Sequence, residues 1–382
     1  MTPYTNIYYF IALVFLFIPI LIAGFREKKL PVYSFVLTLF LLSSIYLSSL
    51  AEFLSFVCYI LWQIGMVNGY HVYRKNKNAA GIFYLLIFLA LLPLLLVKVI
   101  PFFEIHTTIG FLGISYLTFK SVQVLIDLRD GTLKDYRSVD FISFLLFYPT
   151  ISSGPIDRFK RFKQDMTSIP TKEEYRLLVF QGTNKIFLGF LYKFIIASFL
   201  NANVIQTLYV QEHSFLPTVI YMYAYSLYLF FDFAGYSCFA IGVSYYLGIK
   251  TPENFHLPFL SRNIKDFWNR WHMSLSFWFR DYVYMRFVFL FTKKKWIKNR
   301  YTVSYLGYFV LFLLMGLWHG LALHYIVYGL YHAGLIIGFD VFDRWNKKHK
   351  KWKKTKWTYP ISLLITFHVI CFGFLLFSGR LF

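Results

Sequence analysis

The chain has 382 residues, 58% hydrophobic and only 15% charged, with 46 Phe and 31 Tyr. A soluble globular chain is about half apolar and about a quarter charged, so an ordinary soluble domain is excluded. Lys and Arg outnumber Asp and Glu by 39 to 18, a formal charge of +21. The basic residues sit in short loops between apolar blocks, so the excess reads as membrane topology and not as a nucleic-acid surface.

The apolar blocks have spanning length. Ile7–Phe25 runs without a charge, Val32–Leu50 does the same, and Gly81–Val97 follows a basic loop. A crossing needs about 20 mostly apolar residues for a core of roughly 30 Å. The first block is read as a span rather than a signal peptide. No basic residue precedes it, it has no obvious small-residue cleavage site, and it is longer than a usual h-region. Spans are predicted near 7–25, 32–50, 53–70, 81–100, 108–127, 184–200, 217–233, 302–321, 324–341 and 358–378. The fold class expected is therefore all-α and polytopic, a single integral membrane domain over 1–382 with about 10–11 transmembrane helices.

Short basic loops face the cytoplasm. Arg26–Lys29, Arg74–Lys77, Arg129–Arg137, Arg158–Lys163, Lys293–Arg300 and Arg344–Lys356 are placed there, while Phe102–Thr108 and Asn201–Pro217, which carry no Lys or Arg, are placed outside. With the N-terminus outside, every basic loop falls inside. Such loops hold topology and bind anionic membrane lipids, and together they suit an acidic soluble partner. The chain ends at Phe382, directly after the last predicted span, which leaves room for a short missing tail.

Two apolar stretches, Phe141–Pro155 and His272–Phe291, have basic segments on both sides. Such a segment either re-enters or lies in the interface, and irregular backbone at membrane depth is tolerated only where protein buries it or a wet cavity receives it. Cys58, Cys238 and Cys371 lie singly in apolar runs, which indicates neither a disulfide framework nor a zinc site.

Ionisable groups at membrane depth mark sites by default. Asp232, Lys120 and Lys193 are embedded in this way. A Lys can snorkel to an interface, and Asp232 fits a structural ion pair as well as chemistry. Two histidines have unusual settings: His272, in Phe267-Trp-Asn-Arg-Trp-His272, and His319, in Met315-Gly-Leu-Trp-His-Gly320. An imidazole suits general acid–base work because it titrates near neutrality, although either ring alone also reads as a hydrogen-bonded core residue. Gly316 and Gly320, and Gly334 and Gly338, have the spacing that lets helix backbones approach closely. His324 and His332 are nearby in sequence, but no carboxylate accompanies them, so no metal site is expected.

These motifs carry a resemblance. Asp232-Phe-Ala-Gly-Tyr-Ser237, Pro252-Glu-Asn-Phe255, Pro258-Phe259, Phe267–His272, Ser274-Leu-Ser276, Phe279-Arg-Asp-Tyr282 and Gly316-Leu-Trp-His-Gly320 resemble, in order, the core of the membrane-bound O-acyltransferase family. Tyr148–Pro155 is similar to its Gly-Pro element, so the likeness covers about 148–332. Within the family the likeness is to the branch that transfers D-alanine to teichoic acids in Gram-positive bacteria. Ser153–Phe159 followed by Lys160–Lys163 is similar to that branch's loop, and Val283-Tyr-Met-Arg286 stands where alginate-acetylating relatives carry a Pro-Leu-Gly-Gly type sequence. Cys238 departs from the acidic residue of many relatives, which removes that position from the expected chemistry.

The resemblance implies an O-acyltransferase of cell-wall biosynthesis in the bacterial plasma membrane, with re-entrant or interfacial helices beside the spans. It implies no covalently bound cofactor. The donor would be a D-alanyl thioester on the phosphopantetheine arm of an acidic carrier protein in the cytoplasm. The acceptor would be lipoteichoic acid or an acceptor protein on the outer side. His319 would act as general base and His272 would line the cytoplasmic side. Asp232, Asn269, Trp268, Trp318 and Ser274 would line or orient the channel, and Arg158, Lys160, Arg161 and Lys163 would dock the carrier. The rival expectations are a polysaccharide O-acetyltransferase of the same family and a non-catalytic transporter. The second should show paired half-sequence repeats, which the sequence lacks.

Overall fold

A computed structural model describes all residues except 1, 2, 6, 48, 104–109, 210–213 and 354. The described residues form helices and no strand. In chain order the main elements are α1 (Ile7–Phe25), α2 (Pro31–Tyr46), α3 (Leu50–Asn76), α4 (Ala80–Val99), α5 (Ile114–Arg129), α6 (Ser138–Leu145) and α7 (Phe159–Thr167). They continue with α8 (Lys172–Leu208) and α9 (Phe215–Tyr246), then α10 (Ile264–Trp268), α11 (Met273–Phe279), α12 (Met285–Lys294), α13 (Arg300–His319), α14 (Leu323–His349) and α15 (Thr358–Phe377).

Eight helices are long and apolar enough to cross a membrane: α1, α3, α4, α8, α9, α13, α14 and α15. They correspond to eight of the ten predicted spans. The other two became α2 and α5, of 16 residues each, about 24 Å at 1.5 Å per residue. Most of the expected outer loop 102–108 lies outside the described residues. Local signals set the helix ends. Pro31 opens α2, where its missing N–H has no role to lose. Ser49 caps α3 by accepting the Glu52 N–H, and Arg74 and Lys75 occupy its last turn, favourable for the helix dipole.

The chain divides into two compact units, residues 1–189 with 236–252, and residues 190–235 with 253–382. In the first unit, glycines bring helices together: a Cβ on Gly182 would lie 2.9 Å from the Gly242 carbonyl oxygen, and one on Gly242 would lie 2.7 Å from that of Gly182. The same unit holds the first anomalous stretch. Phe144–Ile151 is buried throughout, and past Leu145 the α-helix gives way to a turn and a single 3-10 turn at Tyr148–Thr150, so protein covers the irregular backbone as expected. Embedded Lys120 is spent here. Its ammonium, 2% exposed, donates to the Phe144 carbonyl at 3.0 Å and to that of Leu145, the orphan acceptors at the end of α6. Gln123 donates to the Asp157 carbonyl at 2.9 Å, Tyr4 to that of Pro149 at 3.3 Å, and the hydroxyls of Ser152 and Tyr236 pair.

The second anomalous stretch, in the second unit, is helical instead. α11 and α12 are joined through a wide turn at Arg280–Tyr284. Met285, Phe289 and Leu290 are exposed along it, with Lys293 and Lys294 in the last turn, an amphipathic surface helix.

Helices α13 and α14 cross closely in this unit. A Cβ on Gly316 would lie 2.5 Å from the Tyr325 carbonyl oxygen, and one on Gly329 would lie 2.4 Å from that of Phe312. This corrects the expected spacing. Gly334 and Gly338 face open space, and Gly329 is the partner of Gly316, because the crossing falls near the start of α14.

Candidate active site

The second unit gathers the two histidines. His272 occupies the N-cap position of α11 with φ of +43°, left-handed backbone that L residues rarely adopt. Such a conformation costs about 1–3 kcal/mol and persists only where the surroundings enforce it. Asn254 enforces it from both chain levels. Its carbonyl accepts the Met273 N–H at 2.8 Å, and its side-chain oxygen accepts the Ser274 hydroxyl at 2.6 Å. Leu257, also left-handed, turns the preceding loop, and the His256 N–H donates to the Arg270 carbonyl at 2.9 Å. The His272 ring is 4% exposed and lies 4.6 Å from Phe233. Its Nε2 has no hydrogen-bond partner among the described residues.

His319 is the last residue of α13, which starts next to the basic loop Lys293–Arg300. Twenty residues of helix put His319 about 30 Å along the axis from that loop. Its ring is half-buried among aromatics, 4.5 Å from Trp318, 4.8 Å from Phe377 and 6.0 Å from Tyr325. The two imidazoles, 47 positions apart in sequence (272 to 319), belong to the same compact unit.

A third histidine joins them. His332 of α14 is fully buried, 4.6 Å from Tyr328 and 5.1 Å from Trp268, while Tyr328 lies 6.2 Å from His319. Neither ring nitrogen of His332 is hydrogen-bonded among the described residues, nor is the buried indole N–H of Trp268. Buried polar atoms are nearly always paired, so this unit holds an aromatic-walled set of polar atoms turned away from protein partners.

The remaining predicted residues are distributed as follows. Trp318 packs on His319 at 4.5 Å, and Ser274 donates to Asn254 as part of its clamp. Asp232 is ion-paired with Lys193, which projects from the wide turn Leu191–Ala197 of α8, so the pair holds α8 to α9. Asn269 is exposed, and its backbone N–H closes α10. In the first unit, Arg161 bridges Asp157 and Asp165, and Lys163 pairs with Asp140. Arg158 is half-buried and Lys160 exposed. The quoted motif Pro252–Phe255 contained Asn254, but nothing in its spacing announced a clamp on His272. The pairing with Gly329 and the burial of His332 were equally invisible, because both depend on how α13 and α14 cross.

Comparison with known proteins extends this geometry. The chain is 51% identical over 389 aligned residues to a teichoic acid D-alanyltransferase of Bacillus subtilis, covering 100% of this chain and 98% of that one. It is 43% identical to a protein of the same description from Streptococcus thermophilus, over 99% and 95% of the two chains. A probable alginate O-acetylase of Pseudomonas putida is 32% identical over 71% of this chain and 53% of its own. Residues 4–378 match the MBOAT, membrane-bound O-acyltransferase, family, and the chain is a multi-pass membrane protein of that family.

Proposed function

We propose that this protein is a membrane O-acyltransferase that passes D-alanine to teichoic acid, with His319 as the general base. The observation that carries the reading is that one unit sets both His272 and His319 among aromatic rings, in a chain half identical to a teichoic acid D-alanyltransferase over its full length.

The donor in this reading is a D-alanyl thioester on the phosphopantetheine arm of an acidic carrier protein, bound as a substrate from the cytoplasmic side. His319 takes the proton of an acceptor hydroxyl, and the oxygen attacks the thioester carbonyl carbon. The tetrahedral intermediate then expels the thiolate as the ester forms, and the proton on the imidazolium passes to the sulfur. The unpartnered Nε2 of His272 supports a substrate-facing role, since a buried nitrogen of this kind needs a hydrogen-bonding group. The surrounding Trp268, Phe233 and Phe377 keep water from the thioester. Lys160, with Arg158, remains suited to the carrier's acidic surface, while Arg161 and Lys163 shape the loop that presents them. The acceptor is lipoteichoic acid or an acceptor protein on the outer side.

The test is transfer of labelled D-alanine from the charged carrier in membranes bearing wild type or His319→Ala at matched expression. General base catalysis contributes about 10²–10⁴-fold, so transfer should fall by that factor with carrier binding intact. Full activity in the variant would remove His319 from the chemistry. Wild type that transfers acetyl groups but not D-alanine would favour the polysaccharide acetylation described for the Pseudomonas relatives.

A further inference from the structure

Three residues beyond Phe377, whose ring lies 4.8 Å from His319, stands Arg380. Its side chain is 5% exposed, and none of its three guanidinium nitrogens has a hydrogen-bond partner among the described residues. The guanidinium lies over the Tyr221 ring, 4.6 Å from the centroid, and Tyr221 is itself buried in an apolar cluster with Met222, Cys371 and Leu375. A buried charge without a partner is among the costliest arrangements in a protein, and five donors in a fixed fork match a phosphate or carboxylate. The local backbone is built to hold this side chain in place. Gly379 ends the helix with φ of +77°, the His324 ring lies 3.4 Å from where its Cβ would be, and the Arg380 N–H donates to the Ser378 hydroxyl.

We propose that Arg380 is an anion-binding residue that takes the phosphodiester of a polyol-phosphate chain and so presents a neighbouring hydroxyl to His319. The proposal deepens the D-alanyl transfer reading and rests on it for the identity of the acceptor. The chemistry does not rest on it: the site calls for a phosphodiester from either a soluble polyol phosphate or a phospholipid headgroup. Phosphate is favoured over carboxylate because a hydroxyl esterified by this reaction lies a few bonds from a phosphate in such a polymer.

The experiment uses the full chain in nanodiscs, with glycerophosphoglycerol as the soluble probe and phosphatidylglycerol as the lipid probe, each against a phosphatidylcholine background. Wild type should bind glycerophosphoglycerol, and Arg380→Gln should weaken binding about ten- to hundredfold, the usual loss for a hydrogen-bonded charge. Arg380→Lys should fall between, keeping charge but losing the fork. In transfer assays the glutamine variant should raise the KM for acceptor and leave carrier binding unchanged. Arg380-dependent binding of phosphatidylglycerol alone would place a lipid headgroup in the site and overturn the acceptor role. Competition by acetate but not by the phosphodiester would overturn the phosphate assignment.

A thermal scan guards against a merely structural arginine. Without ligand, removing an unpaired buried charge should leave the unfolding midpoint unchanged or higher. A lower midpoint for ligand-free Arg380→Gln would mean an internal carboxylate partner and overturn the site. If wild type binds the phosphodiester through Arg380 yet transfers no D-alanine from the carrier, the activity reading fails and the anion site stands.

Discussion

Two segments of this molecule bury polar groups, and they treat most of them in opposite ways. In the first unit, most of the irregular stretch through Phe144–Asp157 is closed by its surroundings, with the Tyr148 hydroxyl and the Gln123 side-chain oxygen left over among the described residues. Lys120 caps the end of α6, Gln123 holds the Asp157 carbonyl, and Arg161 neutralises Asp157 and Asp165. In the second unit, His272 Nε2, both nitrogens of His332, the Trp268 indole N–H and the whole Arg380 guanidinium lack protein partners among the described residues. Closed groups are structural, because removing one orphans its partner. Open groups cost stability that the fold has not recovered, which is the expected signature of a site whose partner is a ligand.

Three substitutions would break or sharpen that contrast. Lys120→Ala should have the largest effect on the fold, since it opens a cavity and orphans two buried carbonyls. Each orphan costs about 1–3 kcal/mol, so a clear drop in the thermal midpoint is expected. D-alanine transfer per folded molecule should stay within about twofold. An unchanged midpoint would remove Lys120 from the structural class.

Asn254→Ala should act on both scales at a middle level. It removes the hydrogen bond to Ser274 while leaving the backbone bond to Met273, a loss of about 1 kcal/mol. The His272 backbone is strained, so the freed loop should relax it. Transfer should fall about tenfold at constant carrier affinity, since small misplacements at a catalytic site are costly. Equal loss of stability and transfer would make Asn254 a structural residue only.

His332→Leu should have the smallest effect on stability. It replaces an imidazole without partners by an apolar group of similar volume, and such exchanges cost less than about 1.5 kcal/mol. Transfer should still fall, because the ring adjoins Trp268 and Tyr328. A strong destabilisation would show that His332 is a closed group after all.

Much of the candidate site was legible residue by residue. His272, His319, Trp268, Trp318 and Ser274 stood out by their motifs, and the structure brings them into one unit. Asp232 stood out too, but its pairing with Lys193 needed the wide turn of α8, which has no sequence signature here. Asn269 was read as an orienting group from its place between Trp268 and His272. It is exposed, at the C-cap where a five-residue helix ends. The basic run 158–163 looked like one docking surface, yet the spacing of four between Arg161 and its neighbours Asp157 and Asp165 turns half of it inward.

By itself the sequence determined the membrane class, ten apolar spans of which eight are long crossing helices, the motif order of an O-acyltransferase and two histidines as candidates. Those depend on composition, run length and short patterns, which act along the chain. The tertiary structure decided which buried groups are closed and which are open, that Gly316 meets Gly329, that Asn254 clamps the loop at His272, and that the Arg380 guanidinium lies over Tyr221 with no hydrogen-bond partner among the described residues. Each of these is a contact between residues far apart in sequence, and neither hydropathy nor spacing carries the crossing geometry that makes it.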